Sequence, residues 1–372
     1  MRFSDVVAQE EVKAILHRQA DEGRLPHALL LEGAEGAGKL PLALALARYL
    51  LCESPQGGEP CEGCPSCRMT RLWAHPDLHF SFPVIKRKAT DQPVSDDYLP
   101  QWREQLQESP YFSTRQWLAR LGAENQQMQL FVGESDALQH KLSLKTSRGG
   151  KRIVVLWLPE RMMEPCANKL LKLIEEPPPQ THFLMVSQQP ELVLGTIMSR
   201  AQQLHVPPLS EEDISEALQR RGVSAEEADY TAHLAQGSYT QALLQDAGED
   251  DPQFQLFVSL MRSAYSRKIK DMTEWSEQAA RLGRESQKSL LAYFQRMVRE
   301  SFVRNLPSHD RLNYMTRQES AFTLRFAPFI NERNVSQITD ELARCQRDIE
   351  QNVNARMVFF DLIVKLTILI KQ

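Results

Sequence analysis

The sequence predicts an α/β fold with a parallel sheet, followed by a region that is almost wholly helical. Three observations support this prediction. Short apolar runs alternate with helical segments before residue 208, a glycine-rich loop joins the first run to a helix, and amphipathic helices follow. Continuously apolar strands that alternate with helices are typical of a parallel sheet covered on both faces.

The predicted elements follow one another in a regular order. The strands are residues 28–31, 153–158 and 184–186, and the accompanying helices are residues 39–51 and 167–176. Pro41 falls in the first turn of its helix, where proline is tolerated, and residues 177–179 are prolines that end the second helix. Two further helices, residues 98–107 and 114–121, lie in a charged and aromatic segment of about residues 78–150. We interpret that segment as an insertion at the rim of the domain, and the sequence assigns it no function.

The length and charge of the chain restrict its class. A chain of 372 residues has material for two or three domains. A net charge of -4 excludes a surface that is basic throughout, so contact with DNA must be local or shared with partners. The N-terminus lacks the apolar stretch of a signal peptide, and the longest apolar tract, residues 357–370, is broken by Asp361 and Lys365. It falls short of the roughly 20 residues that span a bilayer, so we expect a cytoplasmic protein.

Residues 33–40 read GAEGAGKL and have the form of a phosphate-binding loop. In such a loop the glycines let backbone N–H groups approach phosphate, the lysine reaches the β and γ oxygens, and the next hydroxyl holds Mg²⁺. The candidate nucleotide-binding residues are therefore Gly33, Gly36, Gly38 and Lys39. Leu40 stands where the hydroxyl is needed and cannot ligate a metal. The sequence leaves open whether the loop binds ATP weakly without metal, binds none, or is only a structural turn.

Four of the six cysteines lie close together in a C-x8-C-x2-C-x2-C pattern. They are Cys52, Cys61, Cys64 and Cys67. Four thiolates complete the tetrahedral coordination of Zn²⁺, and nearby glycines and prolines supply tight turns, so we predict a structural zinc site. A disulfide framework is unusual in a cytosolic chain, and a redox pair needs fewer thiols. Cys166 and Cys345 have apolar neighbours and are predicted to be core thiols.

A domain boundary is predicted near residue 208, where two prolines precede the change to amphipathic helices. Ser210 has the features of a helix N-cap followed by acidic residues in the first turn. Near the C-terminus, five residues fall on one helical face: Val335, Ile338, Leu342, Cys345 and Ile349. Such a stripe forms either core or a subunit interface.

Several motifs occur together in this chain. They are the glycine-rich loop, the cysteine cluster directly after its helix, His75-Pro76-Asp77, the sequence NKLLKLIEEPP at residues 168–178, and Thr196-Ile197-Met198-Ser199-Arg200. This series resembles the bacterial clamp-loader family over most of residues 1–245, with a looser similarity around residues 350–356. One departure is Ala201, where the family usually has cysteine.

The resemblance implies three domains. An AAA+ P-loop domain would occupy residues 1–207 and hold the zinc module at residues 52–67. A small helical lid would follow at residues 208–250, and an all-α collar for oligomerisation at residues 251–372. It also implies a heteropentamer with motor subunits and a clamp-opening subunit, which opens a sliding clamp and places it on primer-template DNA.

The resemblance contrasts an ATP-hydrolysing motor subunit with a related subunit that does not hydrolyse ATP, and three positions favour the latter. Leu40 removes the Mg²⁺ hydroxyl, and residues 158–160 read LPE where motors have Asp-Glu. Residues 237–240 read GSYT, with Thr240 where motors have an arginine that senses the γ-phosphate. Because phosphoryl transfer depends on metal, positioned water and charge stabilisation, we expect no catalysis in cis. Glu160 is expected to be an exposed loop or helix-start residue, rather than a displaced base.

Arg200 departs from this pattern of loss. The resemblance implies that it is a trans arginine finger, which reaches the γ-phosphate bound by a neighbouring subunit. Such a finger accelerates hydrolysis by about 10³ to 10⁵. The alternative for an arginine at this place is a surface salt bridge.

Two other functions remain open. One is an active ATP-hydrolysing motor subunit. The other is a zinc-dependent nucleic-acid-binding module in which the cysteine cluster contacts DNA. Arg68 and Arg71 are the arginines near that cluster, and it has little other basic or aromatic character.

Overall fold

The computed structural model describes residues 1–88, 90–123, 126–147, 150–246, 252–307 and 312–371. The chain divides into two compact units. The first consists of Met1–Gly122 and Met128–Ala247, and the second of Gly248–Gln372 with the short segment Ala123–Gln127. The three-domain division with boundaries at residues 207 and 250 stays a prediction.

One parallel sheet organises the first unit. Within the described residues it has five strands: β1 (Ala28–Glu32), β2 (Leu78–Ser81), β3 (Arg152–Trp157), β4 (Thr181–Ser187) and β5 (Gln202–His205). Their order is β2-β3-β4-β1-β5, and all four neighbouring pairs are parallel. The three predicted strands are confirmed as the central β1, β3 and β4. They are buried at nearly every residue, which is why they are continuously apolar.

The first unit also contains the following helices. They are α1 (Glu10–Asp21), α2 (Lys39–Leu51), α3 (Pro65–Arg71), α4 (Leu99–Glu108), α5 (Thr114–Arg120), α6 (Val132–Ser143), α7 (Glu164–Glu175), α8 (Gly195–Met198), α9 (Glu211–Arg220), α10 (Ala225–Ala235) and α11 (Tyr239–Asp246). Helix α2 is buried at all of its residues and contacts β3 and β4. A helix that is apolar on every side is expected in such a position. These findings confirm the predicted α/β class.

The segment of residues 78–150 adds a strand and an aromatic cluster to the first unit. Strand β2 is one edge of the sheet. The two helices predicted in this segment are present as α4 and α5. Trp102 and Trp117 on those helices are fully buried, and the ring of Trp102 stacks on Phe82 at 4.2 Å between centroids. Burial of these large aromatic surfaces ties the segment to the sheet.

Helices make up the second unit. They are α12 (Pro252–Ser266), α13 (Ile269–Ala280), α14 (Arg284–Val303), α15 (Arg317–Phe326), α16 (Val335–Glu350) and α17 (Ala355–Leu369). The predicted stripe on α16 lies in the core of this unit through Ile338, Leu342, Cys345 and Ile349, so the core interpretation is confirmed for those four residues. Among the described helices, none has the length and apolar character needed to cross a membrane.

Candidate functional site

The glycine-rich loop connects β1 to α2, and close contacts require its glycines. A Cβ on Gly33 would lie 2.3 Å from the carbonyl oxygen of Val206. At Gly36, a Cβ would lie 2.0 Å from the Ser238 Oγ, and φ is +82°, a value that strongly favours glycine. The loop is therefore enclosed by the end of β5 on one side and by the start of α11 on the other.

Lys39, the first residue of α2, points back into its own loop. Its side chain is buried, and Nζ donates a hydrogen bond to the carbonyl oxygen of Gly33 at 2.7 Å and another to that of Ala34. Burial lowers the pKa of Lys39 to about 8, and the carboxylates of Glu160 and Glu35 oppose that shift. The ammonium that would contact phosphate is thus bonded to loop carbonyls, and a bound nucleotide would have to replace those bonds.

The carboxylates of Glu35 and Glu160 interact electrostatically with this ammonium. Burial raises the pKa of Glu35, with Lys39, the backbone N–H of Thr114 and the Gln188 side chain acting in the opposite direction. Neither Glu35 nor Gln188 was predicted from the sequence to belong to the site. Glu35 lies inside the glycine loop, and this position in the sequence was the only indication that it could belong to the site.

Glu160 was expected to be an exposed loop or helix-start residue, and of these only the helix-start position is confirmed. It lies in the 3-10 helix Pro159–Arg161, but its side chain is half-buried rather than exposed. Its Oε1 accepts hydrogen bonds from the backbone N–H groups of Gln188 at 2.8 Å and Gln189 at 3.2 Å, and burial raises its pKa. The cause is the sheet topology, because the carboxyl ends of the neighbouring parallel strands β3 and β4 meet at the same edge.

Leu40, Leu158 and Thr240 occupy three positions at which the sequence departs from the pattern expected of a motor subunit. Leu40 is a buried apolar residue in the first turn of α2, with 6% of its surface exposed. Leu158 adopts a left-handed conformation at the end of β3 and leads into Pro159. Thr240 in α11 is also buried, with 2% of its surface exposed. None of these three side chains can ligate Mg²⁺ through a carboxylate or place a positive charge on phosphate.

The four clustered cysteines converge as predicted. The Sγ atoms of Cys52, Cys61, Cys64 and Cys67 all lie within 4.8 Å of one another, and those of Cys61 and Cys67 are 3.9 Å apart. Four sulfurs at about 2.3 Å from one ion would be about 3.8 Å apart. Backbone N–H groups of Cys61 and Cys67 point at the Sγ atoms of Cys52 and Cys64, at 3.2 and 3.3 Å. The donor set therefore fits a tetrahedral metal ion. The other two cysteines, Cys166 and Cys345, are fully buried, as predicted.

This cysteine module is bonded to the P-loop helix and to the N-terminal segment. Arg48 of α2 is 2% exposed, and its guanidinium donates to Glu62 Oε1 at 2.8 Å and to the carbonyl oxygen of Met1 at 2.7 Å. Within the same module, the carboxylate of Glu59 accepts the backbone N–H groups of Phe3 at 3.0 Å and Ser4 at 2.7 Å. These contacts were not predicted from the sequence, because the residues that they join are separated along the chain.

Arg200 follows α8 and forms a salt bridge with the last residue of α7. Its Nε lies 3.0 Å from Glu175 Oε2, and its Nη1 donates to the carbonyl oxygen of Thr196 at 3.0 Å. About a third of the side chain, 32%, is exposed. The salt bridge is thus present, and a role as a trans finger stays a prediction.

Residues 8–210 match the family model described as "DNA polymerase III, delta subunit". The chain belongs to this family. Subunit delta' of DNA polymerase III from Bacillus subtilis (strain 168) is 30% identical over 61% of this chain and 56% of its own length. The delta' subunit from Escherichia coli (strain K12) is 29% identical over 67% of this chain and 63% of its own. The tau subunit from E. coli is 28% identical over 58% of this chain and 27% of its own.

The chain matches less than two thirds of the length of each of these three relatives. Among solved structures, a DNA polymerase III gamma subunit-related protein from Thermotoga maritima is similar to 96% of this chain and 99% of its own, with 12% identity and a TM-score of 0.40.

Proposed function

We propose that this chain is the delta-prime subunit of a bacterial DNA polymerase III clamp loader and does not hydrolyse ATP itself. Membership of the delta-subunit family supports the assignment to this assembly, as do the curated relatives named delta'. The proposal that the chain does not hydrolyse ATP depends on one observation. Leu40, a buried apolar residue, occupies the position of the metal-binding hydroxyl. Losing the metal-side groups reduces turnover by orders of magnitude, because phosphoryl transfer depends on charge stabilisation and positioning.

Any nucleotide binding by the loop is proposed to be weak and independent of metal. The backbone donors and Lys39 are retained, but the ammonium is bonded to Gly33 and Ala34. A triphosphate would also lie close to the carboxylates of Glu35 and Glu160. Isothermal titration of the purified chain with ATP tests this, and tight, Mg²⁺-dependent binding would contradict it.

The four-cysteine module is proposed to hold structural Zn²⁺ through Cys52, Cys61, Cys64 and Cys67. With four sulfur ligands the metal has no open position for substrate. Its contribution is to fold a short, turn-rich segment that has little apolar core of its own.

In the assembly, Arg200 is proposed to complete the ATP site of an adjacent motor subunit. Its partly exposed guanidinium next to Ser199 supports this role. The chain would belong to a cytoplasmic heteropentamer with motor subunits and a clamp-opening subunit, contact the sliding clamp indirectly, and meet primer-template DNA through the assembled ring. Contacts of the ring with DNA phosphates would weaken with salt.

Two measurements test the proposal. The purified chain is expected to show no Mg²⁺-dependent ATP hydrolysis, whereas activity that Lys39→Ala abolishes would establish a motor subunit instead. In a complex reconstituted with motor and clamp-opening subunits, Arg200→Ala is expected to leave assembly intact and to lower DNA-stimulated ATP hydrolysis. Unchanged hydrolysis in that complex would remove the finger assignment.

A further inference from the structure

Two of the three nitrogens of the Arg200 guanidinium, Nε and Nη1, form hydrogen bonds. Nε bonds to Glu175, while Nη1 bonds to the carbonyl oxygen of Thr196 and lies 3.4 Å from Ser199 Oγ. Within the described residues, Nη2 of Arg200 has no acceptor. Arginine offers five N–H donors in a planar fork, so the bonds of Nε and Nη1 orient the plane and leave the Nη2 donors for another group.

Both residues of this salt bridge lie close in the chain to a buried isoleucine. Glu175 follows Ile174, which is fully buried in α7, and Arg200 lies three residues after Ile197, which is 1% exposed in α8. Ile174 and Ile197 belong to the same hydrophobic cluster against the sheet. Close packing limits the movement of α7 relative to α8, so the carboxylate and the guanidinium are carried on one rigid support.

We infer that Glu175 is a positioning residue for Arg200. By binding Nε it holds the guanidinium plane so that Nη2 faces an anionic oxygen of a nucleoside triphosphate bound to the neighbouring subunit. A side chain that is already ordered loses less conformational freedom when it meets its target. This inference rests on the proposed role of Arg200 as a trans finger.

Glu176 is a matched control for Glu175. It is the next residue in the chain, it is exposed, and within the described residues it forms no ion pair. Replacing either glutamate removes one negative charge from the same surface. A general electrostatic effect would therefore appear in both variants, whereas positioning of Arg200 would appear at Glu175 alone.

The experiment uses a reconstituted clamp-loader complex in which the motor subunits carry alanine in place of their own finger arginines. Hydrolysis that depends on a finger then comes from the site facing Arg200. We expect Arg200→Ala to lower kcat by about 10³-fold or more. Glu175→Ala is expected to lower it by about 10-fold with an unchanged KM for ATP, since misplacement of a catalytic group costs less than its loss.

Glu175→Gln keeps an oxygen that accepts the Nε–H, so it is expected to restore most of the activity, and Glu176→Ala to have no effect. The double variant of Glu175→Ala with Arg200→Ala is expected to match Arg200→Ala alone, because a positioning residue acts only through the group it positions. Size-exclusion chromatography checks that every complex assembles.

The possible failures are distinguishable. If Arg200→Ala lowers kcat and Glu175→Ala does not, the role of Glu175 is overturned and the finger stands. A higher kcat for Glu175→Ala, additive effects in the double variant, or an equal loss in Glu176→Ala would also overturn the role of Glu175. If Arg200→Ala has no effect, the proposed finger fails and the positioning role fails with it.

Discussion

Ser238 packs directly on Gly36, so that a Cβ built on Gly36 would lie 2.0 Å from the Ser238 Oγ and 2.9 Å from the Ser238 Cβ. The adjacent backbone is bonded as well, since the N–H of Tyr239 donates to the carbonyl oxygen of Gly36 at 3.1 Å. The start of α11 therefore closes onto the glycine-rich loop, although the two segments are far apart in the sequence.

This contact predicts the effect of Gly36→Ala. A left-handed conformation costs alanine about 1 to 2 kcal/mol, and the overlap with Ser238 adds about 1 to 3 kcal/mol. We therefore expect the free energy of unfolding to fall by roughly 2 to 5 kcal/mol, measured by urea unfolding.

Gly23→Ala is the control for Gly36→Ala, because Gly23 also has a positive φ, +66°, but no atom within 4 Å of its Cβ position. Gly23→Ala is expected to lower the free energy of unfolding only by the cost of placing alanine in a left-handed conformation. Adding Ser238→Gly to Gly36→Ala should recover part of the stability that Gly36→Ala loses beyond the loss in Gly23→Ala. Equal losses at Gly23 and Gly36 would show that the contact with Ser238 contributes nothing.

Removal of metal from the cysteine module is expected to loosen the N-terminal segment. Glu59, which binds the N–H groups of Phe3 and Ser4, lies between the first two cysteines of the module. The same segment reaches the glycine loop through Gln9, whose Nε2 donates to the carbonyl oxygen of Ala37 at 3.0 Å. Hydrogen exchange of residues 1–9 should therefore accelerate after chelation, because the backbone donors lose their fixed acceptor.

Metal analysis accompanies this measurement. The proposed site would hold about one zinc ion per chain, and Cys64→Ser is expected to lower that zinc content and to reproduce the faster exchange. Cys166→Ala replaces a buried cysteine outside the cluster and should retain the ion. Unchanged exchange of residues 1–9 in protein shown to lack zinc would disprove the coupling.

The buried Lys39 predicts a pH dependence of stability. Burial lowers its pKa to about 8 from the ordinary 10.5, so between these values the unfolded chain binds more protons than the folded one. Stability contributed by this residue must then rise with pH across the window from about 8 to 10.5. The gain is at most about 3 kcal/mol.

The comparison of wild type with Lys39→Met isolates this contribution from other groups that titrate at the same pH. Urea unfolding at pH values across the window should show that the wild type gains stability relative to the variant as pH rises. Lys270→Met, at a lysine side chain that is 85% exposed, should follow the wild type. If the wild type instead lost stability relative to Lys39→Met as the pH rises, the predicted direction of the pH dependence would be contradicted.

The local patterns of the chain predicted much of the fold. The central strands were visible because burial on both faces requires a continuous apolar run. Strands β2 and β5 were missed, since each lies at an edge of the sheet and pairs with one neighbour. Strand β5 reads QQLH and is largely exposed, so it carries neither an apolar run nor an apolar alternation.

The candidate site divides in the same way. The cysteine cluster was predictable, because short spacing in the sequence keeps its four thiols close together. The half-buried position of Glu160 was not, because its partners Gln188 and Gln189 follow a different strand. Whether a carboxylate at the end of β3 faces solvent or the next strand depends on sheet order, which the residues around it do not encode.

The sequence by itself determined the chemistry that the chain has and lacks: a glycine loop with Lys39, a leucine in place of the metal-binding hydroxyl, four thiols with metal spacing, and Arg200. Only the tertiary structure decided what these groups touch: Lys39 the carbonyl oxygens of its own loop, Gly36 the side chain of Ser238, and Arg200 the carboxylate of Glu175. The physical reason is that residue type and short spacing are set by covalent neighbours. Contacts between distant segments follow from the packing of the whole sheet and its helices.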